Sequence, residues 1–253
     1  MQSTHPDPAA GSPPHRELGH TASVAAVKAK KTKSAKPRGT SAPRRATGVQ
    51  LGGDVARNMI MFGATRVFAT KGFRNVSVED LLEAGQVSRR TFYRFFKSKE
   101  DVALAMYTLG TSSLLESCRR AITSESDLLV QLEKCIDIHL SNAKTMGRLV
   151  YVLGGEAQSL ESPLHARRME VHDLLVAMFR ESSDENRRVD SLLIRTLVFA
   201  LEQVVRTVLE HGDEGRRVTG ESIARARGVM MRVATAAVAG TGARVAPLPM
   251  LHE

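Results

Sequence analysis

From Asp54 onward, apolar residues recur at three- and four-residue intervals. Ile60, Met61, Ala64, Val67 and Phe68 fall on one face of a helix, and the pattern stops at Lys71-Gly72-Phe73. Gly72 is placed to supply the left-handed residue that ends such a helix. Ser77 followed by Asp80 three residues on forms a capping-box-like start. Val78, Leu81 and Leu82 make the inward face of a short second helix that ends around Ala84-Gly85-Gln86. Ser88 caps a third helix running from Arg89 to Phe96, in which Phe92 and Phe96, four apart, face inward together. Ser98 caps a fourth, which begins Lys99-Glu100-Asp101 and continues to about Ile122. Short helices joined by a tight turn between the second and third predict a helix-turn-helix.

The helical period continues through the rest of the chain. Ser126 is the expected cap of a fifth helix carrying Leu129, Leu132, Cys135, Ile136 and Leu140, and a sixth is expected from about Thr145 to Ser159, weakened at Gly154-Gly155. Ser162-Pro163 opens a seventh, because proline suits the first helical turn. Long apolar stripes predict an eighth from about Val189 to Glu210 and a ninth from about Gly220 to Ala239. No stretch alternates as a strand does. The predicted fold is all-α, with about nine helices.

Composition divides the chain. Residues 1–50 hold no Phe, Tyr or Trp and six of the nine prolines, too little apolar material to offset the entropy of ordering, and are expected to form a disordered basic tail. Residues 51–100 are then the helix-turn-helix domain, 101–240 a second helical domain, and 241–253 a C-terminal tail. Of the net charge of +9, residues 1–50 carry +7, residues 54–106 carry +3 and residues 107–253 carry −1. A basic first half and a near-neutral second half point to nucleic acid as the partner of the first. The tail remains open to two readings: a solvated segment with no specific role, or an arm that follows DNA phosphates or enters a minor groove.

No apolar run approaches the roughly 20 residues of a membrane-spanning helix. The first 30 residues lack the apolar core of a secretory signal, so the expected location is the cytoplasm, associated with the nucleoid, with no membrane partner. Two cysteines, Cys118 and Cys135, are too few for a four-ligand zinc site and are expected to be buried and inert. His165 and His172 lie seven apart, with His139 elsewhere, and lack a third ligand of known spacing. There is no glycine-rich phosphate loop and no nucleophile elbow. No enzyme activity, cofactor or metal is expected.

Residues 57–106 resemble the DNA-binding domain of the TetR/AcrR family of bacterial transcriptional regulators. The resemblance rests on Arg57, Ile60, Ala64, Phe68 and Gly72-Phe73 in the first helix. It continues through Ser77-Val78, Asp80-Leu81, Val87-Ser88, Thr91-Phe92-Tyr93, Phe96 and Lys97-Ser98-Lys99-Glu100-Asp101. One departure stands out: the family usually has Ala-Gly before Val-Ser in the turn, and this chain has Gly85-Gln86. A positive φ at position 86 strains a glutamine. The resemblance implies that Arg89, Arg90 and Thr91 approach base edges and that Ser77, Tyr93 and Lys99 bind phosphates. Ser88, which caps the third helix, and Arg94, on its outward face, complete the candidate DNA-binding set. Arginine suits base reading because its fork pairs with guanine O6 and N7.

The same resemblance implies a homodimer through the last two long helices, which places two recognition helices about 34 Å apart on successive major grooves. It also implies a small-molecule effector enclosed among helices four to eight. Candidate lining residues are Tyr107, His139, Met146, Tyr151, Met178, Phe199 and Gln203, a set suited to an apolar ligand with one or two polar anchors. The expected function is a DNA-binding transcriptional regulator, a repressor that binds a palindromic operator and is released by that ligand. The alternative is an architectural, nucleoid-type DNA binder without an inducer.

Overall fold

The computed structural model describes residues 47–182, 190–211 and 219–239. Among them are nine α-helices and no strand: α1 (Thr47–Lys71), α2 (Val78–Gly85), α3 (Arg89–Phe95), α4 (Lys99–Thr123), α5 (Leu128–Met146), α6 (Arg148–Glu156), α7 (Pro163–Glu181), α8 (Ser191–His211) and α9 (Gly220–Ala239). The basic stretch up to residue 46 and residues 240–253, read as tails, lie outside the described residues. Residues 47–50, read as tail, belong instead to α1. No proline interrupts the chain between Pro43 and Asp54, and a helix once nucleated extends at the cost of one residue per hydrogen bond gained.

Capping side chains set most boundaries. Ser77 Oγ accepts from Asp80 N at 3.2 Å, and the Asp80 carboxylate accepts from Ser77 N at 2.9 Å, so the capping box at α2 is complete despite the shorter acid. Lys71 Nζ reaches the same carboxylate at 2.6 Å, and its bond together with those from the Ser77 backbone and hydroxyl holds the Asp80 pKa down at about 2. Ser88 and Ser98 cap α3 and α4, and Ser162 caps α7 with Pro163 behind it.

Boundaries at both ends of α5 also differ from the sequence expectation, and α6 ends at Glu156 rather than about Ser159. The cap of α5 is Asp127, whose carboxylate accepts from Val130 N at 3.0 Å, rather than Ser126. Thr145 and Met146 finish α5 instead of opening α6, because Gly147 takes φ 42° and breaks the helix between them.

The apolar side chains form two clusters. In the first, Ile60, Ala64 and Phe68 of α1, Leu81 of α2, Phe92 of α3 and the neighbouring Phe96 pack on Val102, Ala103 and Met106 of α4 and on Leu149 and Leu153 of α6. The core of the helix-turn-helix therefore extends past residue 100 and takes α6 as a wall. Arg148 Nε, donating to Ala69 O at 3.2 Å, ties α6 to the last turn of α1. In the second cluster, the later half of α4 packs with α5, α7, α8 and α9 through Ile122, Leu140, Phe179, Ile194 and Met230. Helix α4 contributes to both, so any tilt of it is felt at either end. Gln131 is buried and fully used, donating to the carbonyls of Ile122 (3.2 Å) and Glu125 (2.8 Å) and accepting from Ser182 Oγ (3.2 Å).

At the α2–α3 turn, Gln86 takes φ 50° and ψ 42°, the left-handed region where a Cβ is penalised. Its side chain is exposed. Gln86→Gly should therefore stabilise the protein by about 0.5–1 kcal/mol, the relief of strain outweighing the added freedom of the unfolded chain. Thermal unfolding should move up by about 1–4 °C. A lower midpoint would mean that the turn carries no such strain.

Candidate nucleic-acid interface and ligand cavity

Helix α3 buries Phe92 completely and Phe96 follows it inward, their rings 6.0 Å apart. At 100° per residue, this turns Arg89, Arg90, Tyr93 and Arg94 outward, and all four are exposed. The N-terminal turn of α3 presents unpaired backbone N–H groups and two arginines on the same surface, an arrangement suited to phosphate and to base edges. The hydroxyls expected at this surface have local tasks as well. Ser88 Oγ caps Thr91 N at 3.1 Å and meets Thr91 Oγ1 at 2.8 Å, while Ser77 caps α2.

Lys99, expected at a phosphate, points its ammonium at the carbonyls of Phe73 (3.2 Å) and Arg74 (3.1 Å) and over the Phe73 ring. It pins the α1–α2 loop to the start of α4 and is half-buried, leaving a single donor for DNA. Arg94 stacks on the Phe95 ring at 4.6 Å.

Arg89 is ion-paired to Glu79 of α2. Both groups are exposed, and the backbone hydrogen bond of Glu79 and then its bond from Arg89 lower the carboxyl pKa. The pair holds a negative charge beside a base-reading candidate. Glu79→Gln should raise affinity for DNA of any sequence severalfold, most clearly at low salt, as measured by titration of one duplex over a salt series. Unchanged affinity would remove Glu79 from the electrostatics of this face.

A cavity of about 210 Å³ opens among α4 to α9. Of the seven residues expected to line it, Tyr107, His139, Met146 and Tyr151 do, and Met178, Phe199 and Gln203 do not. Met178 is buried in the core, one position off the face formed by Val171, Leu175 and Phe179. Gln203 is exposed, one position past Glu202. Phe199 backs a polar cluster from behind: its ring lies 4.8 Å from that of His172 and 5.1 Å from the Arg168 guanidinium.

That cluster was not foreseen from the sequence. Arg168 and His172, four apart on α7, converge on Glu202 of α8. Arg168 Nε donates to the carboxylate at 3.1 Å and Nη2 at 2.6 Å, and His172 Nε2 lies 2.8 Å from Oε1. Arg168 is 7% and His172 1% exposed. Burial alone would raise the Glu202 pKa, but the bonds from His172 and Arg168 outweigh it and the net displacement is downward. Burial presses the His139 imidazole down, opposed by the charge of Glu202, and pushes the Tyr107 phenol up. The available signal was two basic side chains on the apolar face of α7 and an acid inside the apolar stripe of α8. Cys118 and Cys135 are buried and free, and both line the cavity. His165 contacts Ala157 O, and no group of three metal-ligating residues occurs among the described residues. No helix there is long and apolar enough to cross a membrane.

Residues 60–106 match the sequence profile described as bacterial regulatory proteins, tetR family. The chain is similar to the HTH-type transcriptional regulator EthR of Mycolicibacterium smegmatis, 39% identical over 67 residues, which are 26% of this chain and 31% of that one. It is also similar to the HTH-type transcriptional regulator TcmR of Streptomyces glaucescens, 25% identical over 143 residues, or 56% and 58% of the two chains. The matches thus span less than two thirds of these relatives. Among solved structures, the fold resembles the transcriptional regulator FadR from Bacillus subtilis, solved in complex with stearoyl-CoA. There the TM-score is 0.58 and the identity 19%, over 72% of this chain and 98% of that one.

Proposed function

We propose that this chain, whose residues 60–106 match the tetR family of bacterial regulatory proteins, is a regulator of that family that represses transcription as a homodimer on a palindromic operator and lets go when a small molecule fills the cavity. The observation that carries the DNA half of this reading is the outward arginine pair at the capped N-terminus of α3, set against the buried Phe92 and Phe96. Arg89 and Arg90 read bases, while Tyr93, Arg94 and the last free donor of Lys99 hold phosphates, which position the protein without specifying sequence. The ligand half rests on the cavity and on α4, whose first turns pack in the DNA-binding core and whose later turns line the cavity. A ligand shifts the equilibrium through unequal affinity for the DNA-competent and incompetent forms. The dimer forms through α8 and α9.

Selection of bound duplexes from a random pool should return a palindrome. On that site, Arg90→Ala should cost about 1–3 kcal/mol and relax the preference at one position of each half-site, while Tyr93→Phe should weaken all sequences alike. Arginine variants that keep full specificity against random competitor would remove α3 from base reading. A pool that returns no consensus would favour an architectural DNA binder instead.

A further inference from the structure

His172 has an unanswered atom. Its Nε2 faces the Glu202 carboxylate at 2.8 Å, an acceptor, so that nitrogen carries the hydrogen and donates it. Arg168 already balances the charge of Glu202 through two donors, and a second buried cation would stand uncompensated. The imidazole is therefore neutral, and Nδ1 holds a lone pair. Nδ1 is buried and has no hydrogen-bond partner, although His172 lines the cavity. A buried acceptor without a donor costs free energy until something supplies one.

The same geometry disfavours an anion at this end. A carboxylate or phosphate reaching Nδ1 would meet another acceptor and the charge of Glu202, while Arg168 is already engaged. Arg206, a cation of the cavity wall, lies over the Tyr151 ring and within 3.4 Å of Gln158 Oε1, on the α6 side. The remaining surface is mainly aliphatic, aromatic and sulfur-bearing, from Leu114, Leu132, Ile136, Leu197 and Met230 among others.

We propose that the cavity takes an uncharged, largely apolar molecule bearing a hydroxyl group, alcohol or phenol, which donates its hydrogen bond to His172 Nδ1. This rests on the reading of the cavity as the effector site and adds the chemical class of effector. Glu202 and Arg168 are positioning residues: they fix the tautomer and orientation of the imidazole, and Phe199 holds it from the far side.

Three matched probes test this by calorimetric titration of the full-length protein: para-hexylphenol, para-hexylanisole and para-hexylbenzoate. The phenol should bind at least about tenfold more tightly than the anisole, which has the same shape and no donor, and the benzoate should bind most weakly. In His172→Leu, which removes the ring acceptor and brings no other, the preference for phenol over anisole should vanish while the anisole binds as before. His172→Phe should do the same, and thermal unfolding of both variants shows whether they remain folded. Equal binding of phenol and anisole to the wild type would mean that water serves Nδ1. Tightest binding of the benzoate would mean that Arg206 selects an anion. Either result overturns the hydroxyl proposal and leaves the cavity as a ligand site. Binding of none of the three, by a protein that still binds its operator, would overturn the effector reading together with the proposal.

Discussion

Replacing Gly63 with alanine should disable the DNA-binding half of this protein. Helices α1 and α2 cross backbone to backbone at this point. A Cβ on Gly63 would lie 2.6 Å from the carbonyl carbon and oxygen of Ala84 and from the nitrogen of Gly85, far inside van der Waals contact. These are main-chain atoms within a helix, so no rotamer change relieves the clash. Reciprocally, a Cβ on Gly85 of α2 would sit 3.1 Å from the Ile60 Cα of α1, so the crossing is tight from either helix. The alanine must push α2 outward, opening the cluster around Leu81 and turning α3 away from its present angle. Overpacking of this kind costs about 1–3 kcal/mol, and more where backbone must move. Thermal unfolding should fall by about 4–10 °C, and DNA binding should be lost by more than the stability change explains. Gly52→Ala in the same helix is the matched control. Its Cβ meets nothing within 4 Å, so helix propensity alone should stabilise by about 0.5–1 kcal/mol. A Gly63→Ala protein with wild-type stability and operator affinity would mean that the two helices are further apart than described.

What the sequence makes legible here is what repeats or caps locally. Ser77, Ser88, Ser98 and Ser162-Pro163 mark real helix starts because each puts a side-chain oxygen one turn before orphan N–H groups. Ser126 and Asp127 are both able caps one residue apart, and spacing alone does not say which reaches N3. The break at Gly147 is likewise a backbone dihedral with no periodic signature.

The cavity was harder for a geometric reason. One residue along a helix is a rotation of 100°, so Gln203 and Glu202, or Met178 and Phe179, belong to different faces while looking equally plausible in a list of polar or apolar positions. Lys99 has a structural task that its spacing does not show, because its partners, the carbonyls of Phe73 and Arg74, lie 26 and 25 residues away in sequence. The glycine at position 63 was invisible for the same reason. Its importance lies in what α2 places next to it.

Placing a charge at Val233 should separate the proposed dimer without unfolding either copy. Val233 lies on the outer side of α9 and is 41% exposed in the single chain, and Leu192, at the start of α8, is 68% exposed. Exposure of this kind on two neighbouring long helices is costly in water and is relieved if a second copy covers it. In one chain Val233→Glu puts a carboxylate into solvent and costs little. In a symmetric pair it puts two carboxylates into an apolar seam, each uncompensated, a change of several kcal/mol against association. Sedimentation should therefore move from twice the chain mass to the chain mass, with the helical signal and unfolding cooperativity kept. Operator affinity should fall by about a hundredfold or more, since the second recognition helix no longer arrives tethered to the first. Binding to an isolated half-site should be unchanged. Leu160→Glu makes the same chemical change at a side chain that is 82% exposed in the link between α6 and α7, and it should leave both mass and affinity as they are. Dimers that survive Val233→Glu, or that are broken by Leu160→Glu, would move the interface away from α8 and α9, and the spacing of the two α3 helices on DNA would then need a different symmetry axis.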